Sequence, residues 1–250
     1  MASVMDLALC ADAVYDAKKM TVGSWIRSGT TYGMDSWGFF ASAYLHKKGT
    51  ELVVAFRGTD DMSDVVTDAS IFMGKYPNQA KQASDALKAI LAYHRNIKSI
   101  YITGHSLGGG LASILGFISK LPTVTFNAPG MSRSLISDKL PWGIEYLLSL
   151  GLAKTARAEN ILHIRTLFDV VSIGTGPIIG KVHNVICSCP IDSSLPVGNT
   201  LVATQNPLGL SVKLSAVVGN YTLCQHKMAS VISAIKGNSL YFDPINFSRF

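Results

Sequence analysis

The chain has 250 residues, 48% of them apolar, which fills a sizeable core for one α/β domain. Only 15% are charged, yet no run approaches 18 uninterrupted apolar residues, so a transmembrane segment is excluded. The net charge of +6 is carried by dispersed Lys and Arg with no basic run, which excludes a nucleic-acid stripe and leaves a sequence-independent bias toward anionic surfaces such as a phospholipid headgroup layer.

Residues Val4 to Ala17 carry apolar positions at helical spacing. Asp6 and Asp12 interrupt what could have been a signal-peptide core, and no basic n-region precedes it. That predicts a product that is cytoplasmic or exported without a cleaved signal peptide. The four scattered cysteines, Cys10, Cys187, Cys189 and Cys224, lack metal-ligand spacing and are expected as reduced thiols. Gly23 to Gly38 reads as loop. Gly38 to His46 and Glu51 to Phe56 then flank a short glycine-containing link, which predicts a β-hairpin.

A helix is expected from Pro77 to Asn96, with Pro at its start. It leads into the β-branched run Ser99 to Thr103 and a buried helix from Leu107 to Lys120. Pro122 to Phe126 and Ile161 to Thr166 are further strand candidates, separated by an insertion at 131–160 that is a candidate cap or lid. Val182 to Cys187 resembles a strand, Gly174 to Pro177 and Ser193 to Pro207 resemble loops, and His226 to Ile235 recovers helical periodicity. Strands alternating with helices predict a single α/β domain over 1–250, with a mostly parallel central sheet and helices on both faces.

The pattern Gly104-His-Ser-Leu-Gly108 lies between a strand and a helix, where flanking glycines let the chain fold sharply and present Ser106 at the carboxyl edge of the sheet. The competing reading is tight strand-helix packing, with Ser106 as an ordinary helix cap. A serine hydroxyl needs a base, an acid to orient that base, and donors for an oxyanion. In this topology the acid and then the histidine follow the serine. Asp138, Asp169 and Asp192 are the acid candidates; Asp169, just beyond an apolar strand, is the best placed. Of His163, His183 and His226, the first two lie inside strands and read as packed or partly exposed. His226 opens a helix after a loop and is the expected base. The backbone N–H of Leu107, at a helix N-terminus, is the expected oxyanion donor. Thr59, in Phe56-Arg-Gly-Thr59, supplies a second.

Phe56-Arg-Gly-Thr59, Asp64-Val-Val-Thr-Asp68, Thr103-Gly-His-Ser-Leu-Gly-Gly109, Phe126-Asn-Ala-Pro-Gly130, Asp169 and His226 occur in an order that resembles the class 3 lipases, the fungal-type triacylglycerol lipase family of the α/β-hydrolase fold. The resemblance covers most of the chain, from about Gly38 to Lys236. It implies Ser106 as nucleophile, Asp169 and His226 as its partners, Thr59 and Leu107 as the oxyanion hole, and ester hydrolysis through an acyl-enzyme with neither metal nor organic cofactor. It also implies a lipid or ester substrate, of lipase or phospholipase A1 type, and transient contact with a lipid surface. Two alternatives share these residues: a carboxylesterase for short soluble esters, and a lipase-like binding protein without catalysis. One departure is Asp60-Asp-Met-Ser-Asp64, which is acidic where the fungal lipases carry an apolar lid, so either no interfacial lid exists or the apolar stretch Leu140 to Leu152 provides the cover, the competing reading of that stretch being a helix packed on the core.

Overall fold

The computed structural model describes residues 1–33, 39–58, 69–130, 158–167, 169, 171–172, 178–187 and 224–249. Thr59, the acidic segment 60–64, Asp138, Asp192, the insertion at 131–157 and the expected loops at 174–177 and 193–207 lie outside the described residues.

Among the described residues, eight strands form one sheet in sequential order. Strands β1 (Thr21–Val22), β2 (Trp25–Gly33), β3 (Phe40–His46) and β4 (Glu51–Phe56) pair antiparallel. From β4 onward, β5 (Ser99–His105), β6 (Thr123–Phe126), β7 (Ile161–Thr166) and β8 (Lys181–Val185) pair parallel. Over Trp25–Gly33, strand β2 corrects the expectation of a loop at Gly23 to Gly38, whose residues 34–38 lie outside the described ones. Its ladder with β3 shifts register between Arg27 and Thr31, and this irregularity around Ser28-Gly-Thr30 breaks the period-two pattern by which strands are read.

Alternation along the central strands sends successive side chains to opposite faces. On β4, Val53 and Ala55 pack toward helices α1 (Val4–Ala13) and α4 (Met228–Lys236), in a cluster that also holds Tyr101 of β5, Phe126 of β6 and Ile164 of β7. Leu52, Val54 and Phe56 pack the other way, against α2 (Ala69–Tyr93) and α3 (Leu107–Ser119). The sheet is thus covered on both faces, as the strand-helix alternation predicts. The α2 helix begins upstream of the expected Pro77. The expected helix from His226 is a separate helical turn at Cys224–His226 followed by α4.

Helix α1 opens on a capping box. The Ser3 hydroxyl accepts the Asp6 N–H at 3.1 Å and the Asp6 carboxylate accepts the Ser3 N–H at 2.9 Å. It ends at Ala13 instead of Ala17. Buried Arg27 takes over the carbonyls beyond, bonding those of Ala13 (2.6 Å), Asp16 (2.9 Å) and Ala17 (3.1 Å) as well as the Tyr44 hydroxyl (2.8 Å). The rigid five-donor guanidinium suits such a set of diverging acceptors. Burial pushes the Tyr44 hydroxyl up to about 12, so it remains a neutral partner.

Cysteine chemistry corrects one expectation. Cys10 carries a free buried thiol and the Cys187 thiol donates to Gln225 Oε1 at 3.0 Å, but Cys224 is disulfide-bonded. No described helix is long and apolar enough to cross a membrane.

Candidate active site

The turn from β5 into α3 carries Ser106 with φ 55° and ψ −130°, a positive φ rare for any residue other than glycine. Its hydroxyl makes no capping bond to the helix. The reading of Ser106 as an ordinary helix cap therefore fails, and its backbone is held in a strained conformation. Glycines make the turn feasible by close approach. A Cβ on Gly108 would lie 2.1 Å from the Phe56 carbonyl oxygen, and one on Gly104 would lie 2.3 Å from that of Gly108. Gly58 sits on the far side of the serine, where a Cβ would lie 3.1 Å from that of Ser106. The residue before Thr59 is therefore packed against the nucleophile candidate. Leu107 is the first residue of α3, so its N–H is one of those that helix geometry leaves without an intrahelical acceptor.

Asp169 follows β7 and is buried. Its Oδ1 accepts from His226 Nδ1 at 2.5 Å and its Oδ2 accepts the Ser172 N–H at 2.9 Å. Burial alone would raise this carboxyl, but the hydrogen bond and charge of His226, with the bonds from Ser172, outweigh it and hold the group below its ordinary value. Asp169 therefore stays an acceptor and keeps the imidazole proton on Nδ1, leaving Nε2 as the basic nitrogen. His226 Nε2 and Ser106 Oγ are both buried and make no hydrogen bond to each other or to any other described residue. The structure thus joins Asp169 to His226. It places Ser106 one residue from His105, whose ring lies 4.8 Å from that of His226, centroid to centroid. His163 and His183 stay apart from this group. His163 bonds Thr125 and the Ile179 carbonyl, and His183 faces Tyr241 edge-on.

Four residues at the site carry no role in the sequence reading. Asn127, with φ 46°, donates through Nδ2 to the carbonyls of Gln225 (2.8 Å) and His226 (3.2 Å), while its Oδ1 accepts the Thr166 N–H. The Thr166 hydroxyl also donates to the Gln225 carbonyl at 2.8 Å. His105 Nε2 lies 2.6 Å from the His226 carbonyl, and its Nδ1 lies 3.0 Å from the Tyr15 hydroxyl. The segment bearing His226 is therefore held by its backbone carbonyls at the carboxyl ends of β5, β6 and β7. The available signals were Asn127 within Phe126-Asn-Ala-Pro-Gly130 and the alternation of Tyr101, Thr103 and His105 on β5. Neither names a partner 98 or more residues away. Burial first, and then the nearby charge of His226, lower the His105 pKa to about 3 against the opposing bond to the His226 carbonyl. His105 is therefore neutral at ordinary pH.

The chain is 38% identical over 95 residues to the "Extracellular phospholipase A1" of Serratia liquefaciens, covering 38% of this chain and 28% of that one. It is 38% identical over 95 residues to "Putative lipase ATG15" of Meyerozyma guilliermondii, covering 35% of this chain and 15% of that protein. The matches thus span less than a third of these relatives' own lengths. A solved structure described as a fungal lipase superposes with a TM-score of 0.52 at 14% identity, over 93% of this chain and 97% of that one. This likeness establishes the α/β-hydrolase fold. Residues 6–142, more than half of the chain, match the model of the Tle-like phospholipase domain, and the chain belongs to that family.

Proposed function

We propose that the chain is a serine hydrolase cleaving the carboxylic esters of lipids, phospholipids foremost, through an acyl-enzyme. The observation that carries this reading is the buried Asp169–His226 bond, which leaves Nε2 without a partner, together with the strained turn that carries Ser106. Ser106 Oγ attacks the ester carbonyl carbon while His226 Nε2 takes the hydroxyl proton. The oxyanion that forms is met by the N–H of Leu107 at the positive end of α3, with Thr59 as the second donor. Collapse breaks the bond to the alcohol oxygen, which receives the proton from His226. Water, deprotonated by the same nitrogen, then attacks the acyl-enzyme, releasing the fatty acid and restoring Ser106.

Phospholipid is favoured by the family and by the net charge of +6, which draws the protein to anionic bilayers. The Serratia relative, named as a phospholipase A1, supports cleavage at the first acyl position. Of the two expected locations, the disulfide at Cys224 favours export into an oxidising compartment. Fatty acid release should be measured on triacylglycerols, on short soluble esters and on phospholipids labelled separately in each acyl chain. Preferential release from the first position of phospholipid is expected. Faster turnover of short soluble esters would overturn the lipid reading, and no turnover of any ester would overturn the hydrolase.

A further inference from the structure

We propose that His105, the residue before the nucleophile, is a positioning residue that holds the base, tying the backbone of His226 through Tyr15 to the Gly58 turn beside Ser106. Alternation on β5 puts Tyr101, Thr103 and His105 on the α1 face, and the Thr103 hydroxyl approaches the Leu7 carbonyl of that helix. His105 therefore emerges at the top of the strand between the end of α1 and the segment bearing His226. It is buried, and both ring nitrogens are engaged.

The proton positions follow from the partners. A carbonyl can only accept, so His105 Nε2 carries the hydrogen and donates to the His226 oxygen. Nδ1 of the neutral ring must then accept, and the Tyr15 hydroxyl donates to it. The same hydroxyl oxygen accepts the Gly58 N–H at 3.0 Å. One directional chain results, from the Gly58 N–H to Tyr15, to His105, to the His226 carbonyl. It links the turn preceding the oxyanion candidate Thr59 to the base candidate. Asn127 holds the same carbonyl at 3.2 Å, and Gln225 is held by Asn127 and Thr166. Losing the His105 bond therefore leaves the segment attached and only loosens its placement.

The inference rests on the serine hydrolase reading, so its test carries a readout that does not need turnover. His105→Leu removes the donor; His105→Gln keeps an N–H near the position of Nε2; Tyr15→Phe removes the middle of the chain. We expect kcat in His105→Leu to fall about 10- to 100-fold per site titrated by fluorophosphonate, with KM within roughly threefold. His105→Gln should recover most of that loss. Tyr15→Phe should lose roughly tenfold, with the double variant losing less than the product of the two. The downfield Nδ1 proton resonance of His226 should broaden in His105→Leu and sharpen again in His105→Gln. Wild-type kcat per titrated site in His105→Leu would overturn the inference, as would equal losses in the Leu and Gln variants that follow melting temperature alone. If the wild type turns over no ester, the hydrolase reading fails, and an unchanged His226 resonance in His105→Leu then overturns this inference separately.

Discussion

The histidines separate according to what faces each ring, and this separation is measurable. His163 donates from Nε2 to the Ile179 carbonyl and accepts at Nδ1 from Thr125, its cross-strand partner in register. Burial lowers its pKa from 6.5 to about 4, so the native state holds it neutral. Between those values the unfolded chain binds the extra proton, so stability rises with pH. The contribution is fully present above about 6.5 and is lost as pH falls toward 4, roughly 3 kcal/mol from a shift of this size. Urea unfolding of the wild type should weaken across that window, and His163→Gln should flatten the profile; parallel profiles would contradict the assignment. Sequence alone could separate His163 from His226, because one sits within an alternating strand and the other beyond a loop. It could not show His105 as part of the site, because the variable position of Gly-x-Ser-x-Gly says nothing of which distant carbonyl lies above it.

Among the elements, the elbow from β5 to α3 was the most legible, since close approach of backbones demands glycine at fixed offsets from the serine. The structure sets the tolerance at each glycine. At Gly108 an added Cβ would meet Phe56 and Arg57 backbone atoms within 2.7 Å, and neither can yield without moving β4. At Gly29, in the irregular part of β2, nothing lies within 4 Å. Gly108→Ala should therefore cost about 3 kcal/mol, roughly 10 °C in a thermal melt, while Gly29→Ala should melt with the wild type. Equal melting of the two variants would contradict the packing described at the elbow. The same irregularity explains why β2 went unread as a strand. The helix turn at Cys224–His226 was read together with α4 because both carry apolar residues at helical spacing, and composition does not mark the break at Lys227.

At the scale of the whole molecule, residues 15, 58, 105, 106, 127, 166, 169 and 226 meet at one edge of the sheet, so the site exists only once the parallel strands β5, β6 and β7 are in register. The order Ser106, Asp169, His226 is the one this topology leads the sequence to expect for a proposed triad. The carbonyl clamps were not legible, since each joins residues separated by long stretches of chain. The disulfide at Cys224 adds a covalent constraint two residues from His226, which cysteine spacing did not reveal. The central claim is that Ser106 is a nucleophile activated by His226. Its most direct measurement is the mass of the peptide carrying Ser106 after exposure to a fluorophosphonate, compared between wild type, His226→Ala and His183→Ala. One phosphonyl adduct on Ser106 is expected in the wild type and in His183→Ala, with labelling slowed by several orders of magnitude in His226→Ala. An adduct on another residue, or undiminished labelling of Ser106 without His226, would contradict that claim.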